Sequence, residues 1–189
     1  MIAIVKYNAG NVTSVKNAIE RLGFECIVTD NSEELQKADK VIFPGVGEAS
    51  SAMAYLKEKG LDEVIKNLKQ PFLGICLGMQ LMCDYSEEGD VECLGIFKTK
   101  VKKFPPLDLV PQMGWNSIVQ NGKENENEDV YFVHSYYAEV CEETTETCNY
   151  ILNFSAALQK DNFYGVQYHP EKSGKIGEEI LRKFLILNF

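Results

Sequence analysis

Residues 71–80 read Pro71-Phe72-Leu73-Gly74-Ile75-Cys76-Leu77-Gly78-Met79-Gln80. A short apolar run opened by Pro71 stops at Cys76 and passes into a helix-like stretch from Leu77 to Tyr85. The order predicts a strand, a sharp turn and a helix. Gly74 and Gly78 lie two residues either side of the cysteine, where the missing Cβ atoms permit a tight elbow that lifts one side chain above a sheet. A thiol at a helix N-terminus also meets the positive end of the macrodipole, which favours the attacking thiolate. Cys76 is therefore a candidate nucleophile. The bland reading is a buried structural thiol, the reading given to Cys26, Cys83, Cys93, Cys141 and Cys148. The partners elsewhere in the chain decide between them.

Upstream, strands and helices alternate. Ile2–Tyr7 reads as a strand, Val12–Leu22 as a helix stopped by Gly23, and Phe24–Thr29 as a strand. Ser32–Ala38 reads as a short helix capped by Ser32, followed by the strand Lys40–Phe43. This alternation predicts an α/β fold: a mostly parallel central sheet with helices on both faces and ligands at the carboxyl ends of the strands. Cys76 ends the fourth strand, on that edge. The third strand ends in Pro44-Gly45-Val46-Gly47, before a helix from Glu48 to Lys59 stopped by Gly60. A two-glycine loop between strand and helix is often only a tight turn, but its N–H groups can also hold a phosphate or an oxyanion. The neighbouring Cys76 favours the oxyanion.

Downstream of Gly89, strands follow strands. Ile96–Phe104 and Ser117–Gln120 read as extended, separated by Pro105-Pro106 and by Val110-Pro111-Gln112-Met113-Gly114-Trp115-Asn116. Asn121–Asp129 reads as a polar, acidic surface loop, Val130–Val140 as a strand and Glu142–Thr147 as an exposed turn. This half is expected to form an antiparallel extension of the same domain, so that residues 1–189 make one unit. Near the end, a strand from Phe163 delivers His169 and Glu171, and Pro170 biases His169 toward extended backbone. Residues two apart on an extended chain face the same side at ~7 Å, within reach of a carboxylate–imidazole contact. A base and its orienting acid would complete a triad with the thiol.

At 189 residues, 45% hydrophobic and 25% charged, the chain suits one globular domain with a substantial core. A net charge of -9 without a basic patch argues against nucleic acid and anionic membranes as partners. No run approaches the ~20 apolar residues of a membrane-spanning helix, and none near the start has the make-up of a signal peptide. Six cysteines without Cys-x-x-Cys spacing and two histidines fit reduced thiols rather than a disulfide framework or zinc site. The expected compartment is the cytoplasm, and neither metal nor cofactor is expected.

Gly74-Ile75-Cys76-Leu77-Gly78-Met79-Gln80 followed by His169-Pro170-Glu171 resembles the class I, Cys-His-Glu type glutamine amidotransferases along essentially the whole chain. Within that family, Tyr7-Asn8-Ala9-Gly10-Asn11, Pro44-Gly45-Val46-Gly47, Gln112-Met113-Gly114-Trp115-Asn116, Val133-His134-Ser135-Tyr136 and His169-Pro170-Glu171-Lys172-Ser173 are similar to the glutaminase subunits of imidazole glycerol phosphate synthases. The resemblance implies hydrolysis of glutamine to glutamate and ammonia, with ammonia passing to a separate (β/α)8-barrel cyclase in histidine biosynthesis. It implies Cys76 as nucleophile, His169 as general acid/base and Glu171 as its orienter. The amide of Leu77 and, after rearrangement, one from Gly45, Val46 and Gly47 would form the oxyanion hole. Gln80 and Glu88 would hold the polar head of glutamine, with backbone contacts from Ser135 and Tyr136. Trp115, Tyr136 and Lys172 are candidate partner contacts, against a reading of core packing for Trp115 and plain exposure for Lys172. One departure is Lys6-Tyr7-Asn8 where relatives commonly begin this loop Asp-Tyr-Gly.

Four other readings share this scaffold, the first being another class I amidotransferase subunit. A cysteine peptidase or a γ-glutamyl hydrolase uses the same elbow and triad, although the Gln-Met-Gly-Trp-Asn and His-Pro-Glu-Lys-Ser segments do not point there. An inactive interaction subunit would not require the intact triad. The two-glycine loop is further expected to be a switch: turning the Gly45–Val46 peptide toward a tetrahedral intermediate changes ψ of Gly45 and φ of Val46, and β-branched Val46 resists positive φ.

Overall fold

The computed structural model describes residues 1–8, 10–120 and 123–187, the side chains of 123–128 excepted. The first half alternates as β1 (Ile2–Val5), α1 (Val12–Arg21), β2 (Cys26–Thr29), α2 (Ser32–Lys37), β3 (Lys40–Phe43), α3 (Ala49–Glu58), α4 (Leu61–Asn67), β4 (Phe72–Ile75) and α5 (Leu77–Leu81). Then come β5 (Tyr85–Ser86), β6 (Val91–Glu92), β7 (Lys100–Lys103), β8 (Gln112–Gln120), β9 (Lys123–His134), β10 (Tyr136–Ala138), β11 (Thr144–Tyr150), β12 (Leu152–Lys160) and β13 (Phe163–Val166). A 3-10 turn at Pro170–Lys172 leads into α6 (Gly174–Ile186). No helix among the described residues is long and apolar enough to cross a membrane.

The main sheet has the order β2-β1-β3-β4-β13-β12-β11-β8-β9. Its first five strands are parallel, and the rest pair antiparallel. The parallel strands read as unbroken apolar runs because both of their faces are buried. Successive residues divide between two cores: Ala3, Val5, Val41, Phe43 and Phe72 pack with Met53 and Leu56 of α3 and Ile65 of α4. Ile2, Ile4, Ile42, Leu73 and Ile75 pack with Val15 and Ile19 of α1 and Leu181 and Phe184 of α6 on the other face. Full burial of each such side chain contributes ~1.5–3 kcal/mol, so helices on both faces hold the central strands in register. A second, four-stranded sheet, β10-β7-β5-β6, stands beside the main one.

Several local expectations change. The cap of α2 is Asn31, whose Oδ1 accepts from the Glu33 and Glu34 amides, so Ser32 is already the first helical residue. After Gly60, at φ +67, a further helix α4 forms. The helix after Cys76 stops at Leu81, because Tyr85–Ser86 leaves to pair with Val91–Glu92 and with β7. Gln112–Asn116, read as a separator, is the first half of β8. The expected acidic loop and exposed turn are replaced by the backbone pairing of β9 with β8 and of β11 with β12, except that Asn121 and Gly122 lie outside the described residues. Charged composition predicted loops there, but charged residues are compatible with an edge strand and neighbouring strands override propensity. The strand Val130–Val140 breaks at Ser135, where the chain leaves the main sheet for the small one.

The elbow after β4 is tight in the way its glycines suggest. A Cβ on Gly78 would stand 1.8 Å from the Phe43 carbonyl oxygen, and one on Gly74 2.8 Å from the Met79 nitrogen. Cys76 itself lies at φ 53, ψ -112, a conformation that strains a residue bearing a Cβ by about 1–3 kcal/mol. Cys76→Gly should therefore be more stable than Cys76→Ala by about 1 kcal/mol, since glycine tolerates this conformation. Thermal unfolding of the two variants checks it: a melting temperature for Cys76→Gly at or below that of Cys76→Ala would show that the elbow is unstrained.

Candidate active site

The pairing of β4 with β13 creates the site. Ile75 lies opposite Val166, and the Cys76 amide donates to the Val166 carbonyl at 2.8 Å, so the residues just past both strands emerge side by side. Cys76 is 6% exposed, at the floor of a cavity of about 270 Å³. Its Sγ lies 3.9 Å from the Val133 carbonyl oxygen and 3.6 Å from Nε2 of Gln167.

His169 is fully buried, and three backbone links fix its position. Its amide donates to the Tyr131 carbonyl at 2.9 Å, while its own carbonyl accepts from the Lys172 amide and from the Ser173 hydroxyl at 2.7 Å. The Ser173 hydroxyl oxygen accepts in turn from the Tyr131 amide. Nδ1 of the imidazole is 2.8 Å from Oε1 of Glu171, whose side chain is also fully buried. Glu171 does not reach His169 along a continuous strand; it sits in the 3-10 turn, which brings its carboxylate back onto the ring. The Asn11 side chain donates to the same carboxylate oxygen from the far end of the chain. Nε2 of His169 has no hydrogen-bond partner among the described residues. Burial acts against a charge on this ring, but the Cys76 thiol and the Glu171 carboxylate outweigh it and raise the imidazole from 6.5 to about 10. A thiol, an imidazole with one nitrogen unpartnered and a carboxylate on the other nitrogen can carry out nucleophilic acyl transfer.

The cavity above the thiol is lined by Val46, Gly47, Leu77, Gln80, Glu88 and Pro111, and by 133–136. All four residues expected to meet a substrate head border it, but some of their polar atoms are already engaged. Gln80 donates both hydrogens of its amide, to the Tyr136 carbonyl at 2.9 Å and to Oε1 of Gln167 at 2.8 Å, leaving only its own oxygen for a ligand. The Ser135 carbonyl accepts from the Phe104 amide, so a backbone contact to a ligand from Ser135 would use its N–H. Glu88 accepts from the Ala49 amide at 3.1 Å, and burial raises its carboxyl pKa. In the two-glycine loop, Gly47 has φ +140, whereas Gly45 and Val46 are not in the positive-φ region. The Val46 carbonyl accepts from the Gly10 amide at 3.1 Å, and a Cβ on Gly45 would stand 2.0 Å from the Tyr7 hydroxyl.

Trp115 is 56% exposed on β8, edge-on to Tyr131, and not a core residue. Its ring approaches Gly174 at the start of α6, near exposed Lys172. Sequence reasoning missed Gln167, Asn11 and Ser173. Gln167 lies two residues before His169, so its nearness in sequence to the proposed base was the signal that could have found it. Asn11 contacts Glu171 only through tertiary folding, and no local signal marks it. A somewhat larger cavity of about 330 Å³ lies against α6 between Leu73, Ile118, Tyr168 and Phe184, away from the thiol and imidazole.

Comparison with known proteins places the chain. The profile of the family described as glutamine amidotransferase class-I matches residues 3–188. The imidazole glycerol phosphate synthase subunit HisH of Bacteroides thetaiotaomicron is 59% identical over 98% of this chain and 99% of its own length. The protein of the same name from Pasteurella multocida is 47% identical over 97% and 96%. Among solved structures, a glutamine amidotransferase aligns with TM-score 0.76 at 17% identity, over 98% of this chain and 97% of that one. PurLQS from Thermotoga maritima aligns with TM-score 0.67 at 16% identity, over 97% and 96%, a likeness of fold. With the family profile matching residues 3–188 and a relative 59% identical over 98% of the chain, the chain belongs to the class-I glutamine amidotransferase family.

Proposed function

We propose that the chain is the glutaminase subunit of an imidazole glycerol phosphate synthase and works with a separate cyclase subunit in histidine biosynthesis. The observation that carries the chemistry is the buried His169–Glu171 pair beside Cys76, with Nδ1 held at 2.8 Å and Nε2 left for proton transfer. Sγ of Cys76, its proton already passed to the imidazole, attacks the carboxamide carbon of glutamine. His169 then gives that proton to the leaving nitrogen, ammonia departs, and a γ-glutamyl thioester remains. Water, deprotonated by the same imidazole, attacks the thioester and releases glutamate. The Leu77 amide and an amide of the Gly45–Gly47 loop stabilise the oxyanion, and Gln80, Glu88, Ser135 and Tyr136 hold the substrate head. Exposed Trp115 and Lys172, beside the site, are offered to the cyclase, a (β/α)8 barrel that receives the ammonia. The six free cysteines support a cytoplasmic location.

Three outcomes test this reading. Cys76→Ala should abolish glutamine-dependent synthesis by the complex while ammonium-dependent synthesis stays within about twofold; residual glutaminase above about one part in a thousand would exclude covalent catalysis by this thiol. Glu171→Gln removes the charge that stabilises the imidazolium, so the His169 pKa should fall from about 10, as read by NMR of the labelled ring. A raised folded-state pKa contributes stability that is fully present below about pH 6.5 and is lost as pH rises through about 10. Glu171→Gln should therefore destabilise the protein near pH 6 and make little difference above pH 10, and equal destabilisation at both would remove this linkage. Val46→Gly should raise basal glutaminase and lower stimulation by the cyclase, because an oxyanion donor is worth about a hundredfold and glycine turns the peptide freely. Unchanged turnover with and without the cyclase would place the control elsewhere.

A further inference from the structure

Behind the thiol runs a chain of buried amides whose polarity is fixed at one end. The Tyr136 backbone carbonyl can only accept. It receives the Gln80 Nε2 hydrogen at 2.9 Å and the His134 Nδ1 hydrogen at 2.7 Å, which fills both of its lone pairs. Burial holds His134 down at about 4, so its ring carries one proton, which the acceptor-only Tyr136 carbonyl places on Nδ1, and Nε2, 2.9 Å from the Gln112 side-chain amide, is the acceptor there. Gln80 must therefore turn its NH2 group toward Tyr136, and the second hydrogen of that group goes to Oε1 of Gln167 at 2.8 Å. With its oxygen committed to Gln80, Gln167 has only its NH2 group left to present to Sγ of Cys76, and it does so at 3.6 Å. Gln167 is 0% and Gln80 4% exposed, so water does not compete to reorient either amide. Residue 167 is where the fold needs this group: one past Val166, which pairs with Ile75 just before the thiol.

We infer that Gln167 is a further catalytic residue, an N–H donor to the reacting sulfur, and that Gln80 is a positioning residue that fixes the orientation of that donor. The inference rests on Cys76 being the nucleophile. An N–H aimed at sulfur stabilises the negative charge the atom carries before attack and again when the thioester breaks. A flipped Gln167 would turn a carbonyl oxygen to the same sulfur and repel that charge. Gln80 thus serves both faces of the site, its oxygen toward the cavity and its hydrogens toward the nucleophile.

The test compares Gln167→Met, which keeps the shape without polar atoms, Gln167→Glu, which keeps the acceptor for Gln80 and loses the donor to sulfur, and Gln80→Leu, all in complex with the cyclase. Ammonium-dependent synthesis reports that each variant is folded and assembled. The probe is chloroacetamide, which lacks the amino-acid head of glutamine, with Cys76 labelling followed by peptide mass spectrometry to separate it from the other thiols. Both Gln167 variants should alkylate at least fivefold more slowly at pH 7 and lose at least tenfold in glutaminase kcat with KM within about threefold. Gln80→Leu should also slow alkylation, although the probe has no head for it to bind, and combining it with Gln167→Met should add no further loss. Wild-type alkylation in assembled Gln167→Met and Gln167→Glu, or a fully additive double variant, would overturn the inference. Cys76→Ala run in parallel separates this from failure of the nucleophile itself: glutaminase persisting there removes the thiol from the mechanism, whatever the Gln167 variants do.

Discussion

Everything at this site depends on the parallel contact between β4 and β13. The two segments that carry the proposed nucleophile and base lie far apart in sequence, and a single ladder, Phe72 to Ile75 against Phe163 to Val166, makes them neighbours. The ladder ends in the bond from the Cys76 amide to the Val166 carbonyl. Beyond that bond the strands diverge, one into a strained elbow and the other toward His169. The glycines of this region serve the same contact. A Cβ on Gly165 would stand 2.5 Å from Met79, so the helix after the elbow can settle onto β13 only because position 165 has no side chain.

The proposed base is secured differently from the thiol. Cys76 is placed by its own backbone conformation, whereas His169 is tied to β9 through Tyr131 and Ser173 and to the first loop through Asn11 and Glu171. A buried imidazole with a buried carboxylate is expensive in isolation, and such a pair persists where further hydrogen bonds support the carboxylate. Asn11 supplies one, which accounts for a polar side chain held at the junction of β1 and α1. Glu171 Oε2 remains buried without a partner among the described residues. That uncompensated atom keeps the pair dependent on the charge of the ring.

Much of this was legible in the sequence where a local rule governs. The parallel half follows from the alternation of apolar runs with helical patterns, and its strand Lys40–Phe43 matches residue for residue. The thiol elbow follows from the glycine spacing around Cys76; the His169–Glu171 contact was expected on an extended chain but is made through a 3-10 turn. What was not legible depends on tertiary partners. Nothing local in Asn121–Asp129 or Glu142–Thr147 says that these polar stretches pair with strands, because the apolar neighbours that decide it come from elsewhere in the chain. Gln80 illustrates the limit within the site. The sequence marks it as a polar residue one helical turn past the thiol, but only the fold shows that both of its amide hydrogens point inward.

The break at Ser135 divides the mechanics of the cavity. Cys76 and His169 are both carried by the main sheet, whereas Tyr136 begins β10 and Glu88 follows β5, two strands of the small sheet. The part of the wall formed by Tyr136 and Glu88 thus belongs to one lamina and the thiol and imidazole to another, the two linked across the site by the Gln80 bond to the Tyr136 carbonyl. Small displacements of the lesser lamina would widen or narrow the mouth and change how tightly a substrate is gripped. Because the Tyr136 carbonyl also anchors Gln80, a shift that changes the grip on a substrate is transmitted toward the thiol, so affinity and chemical rate are coupled in this architecture.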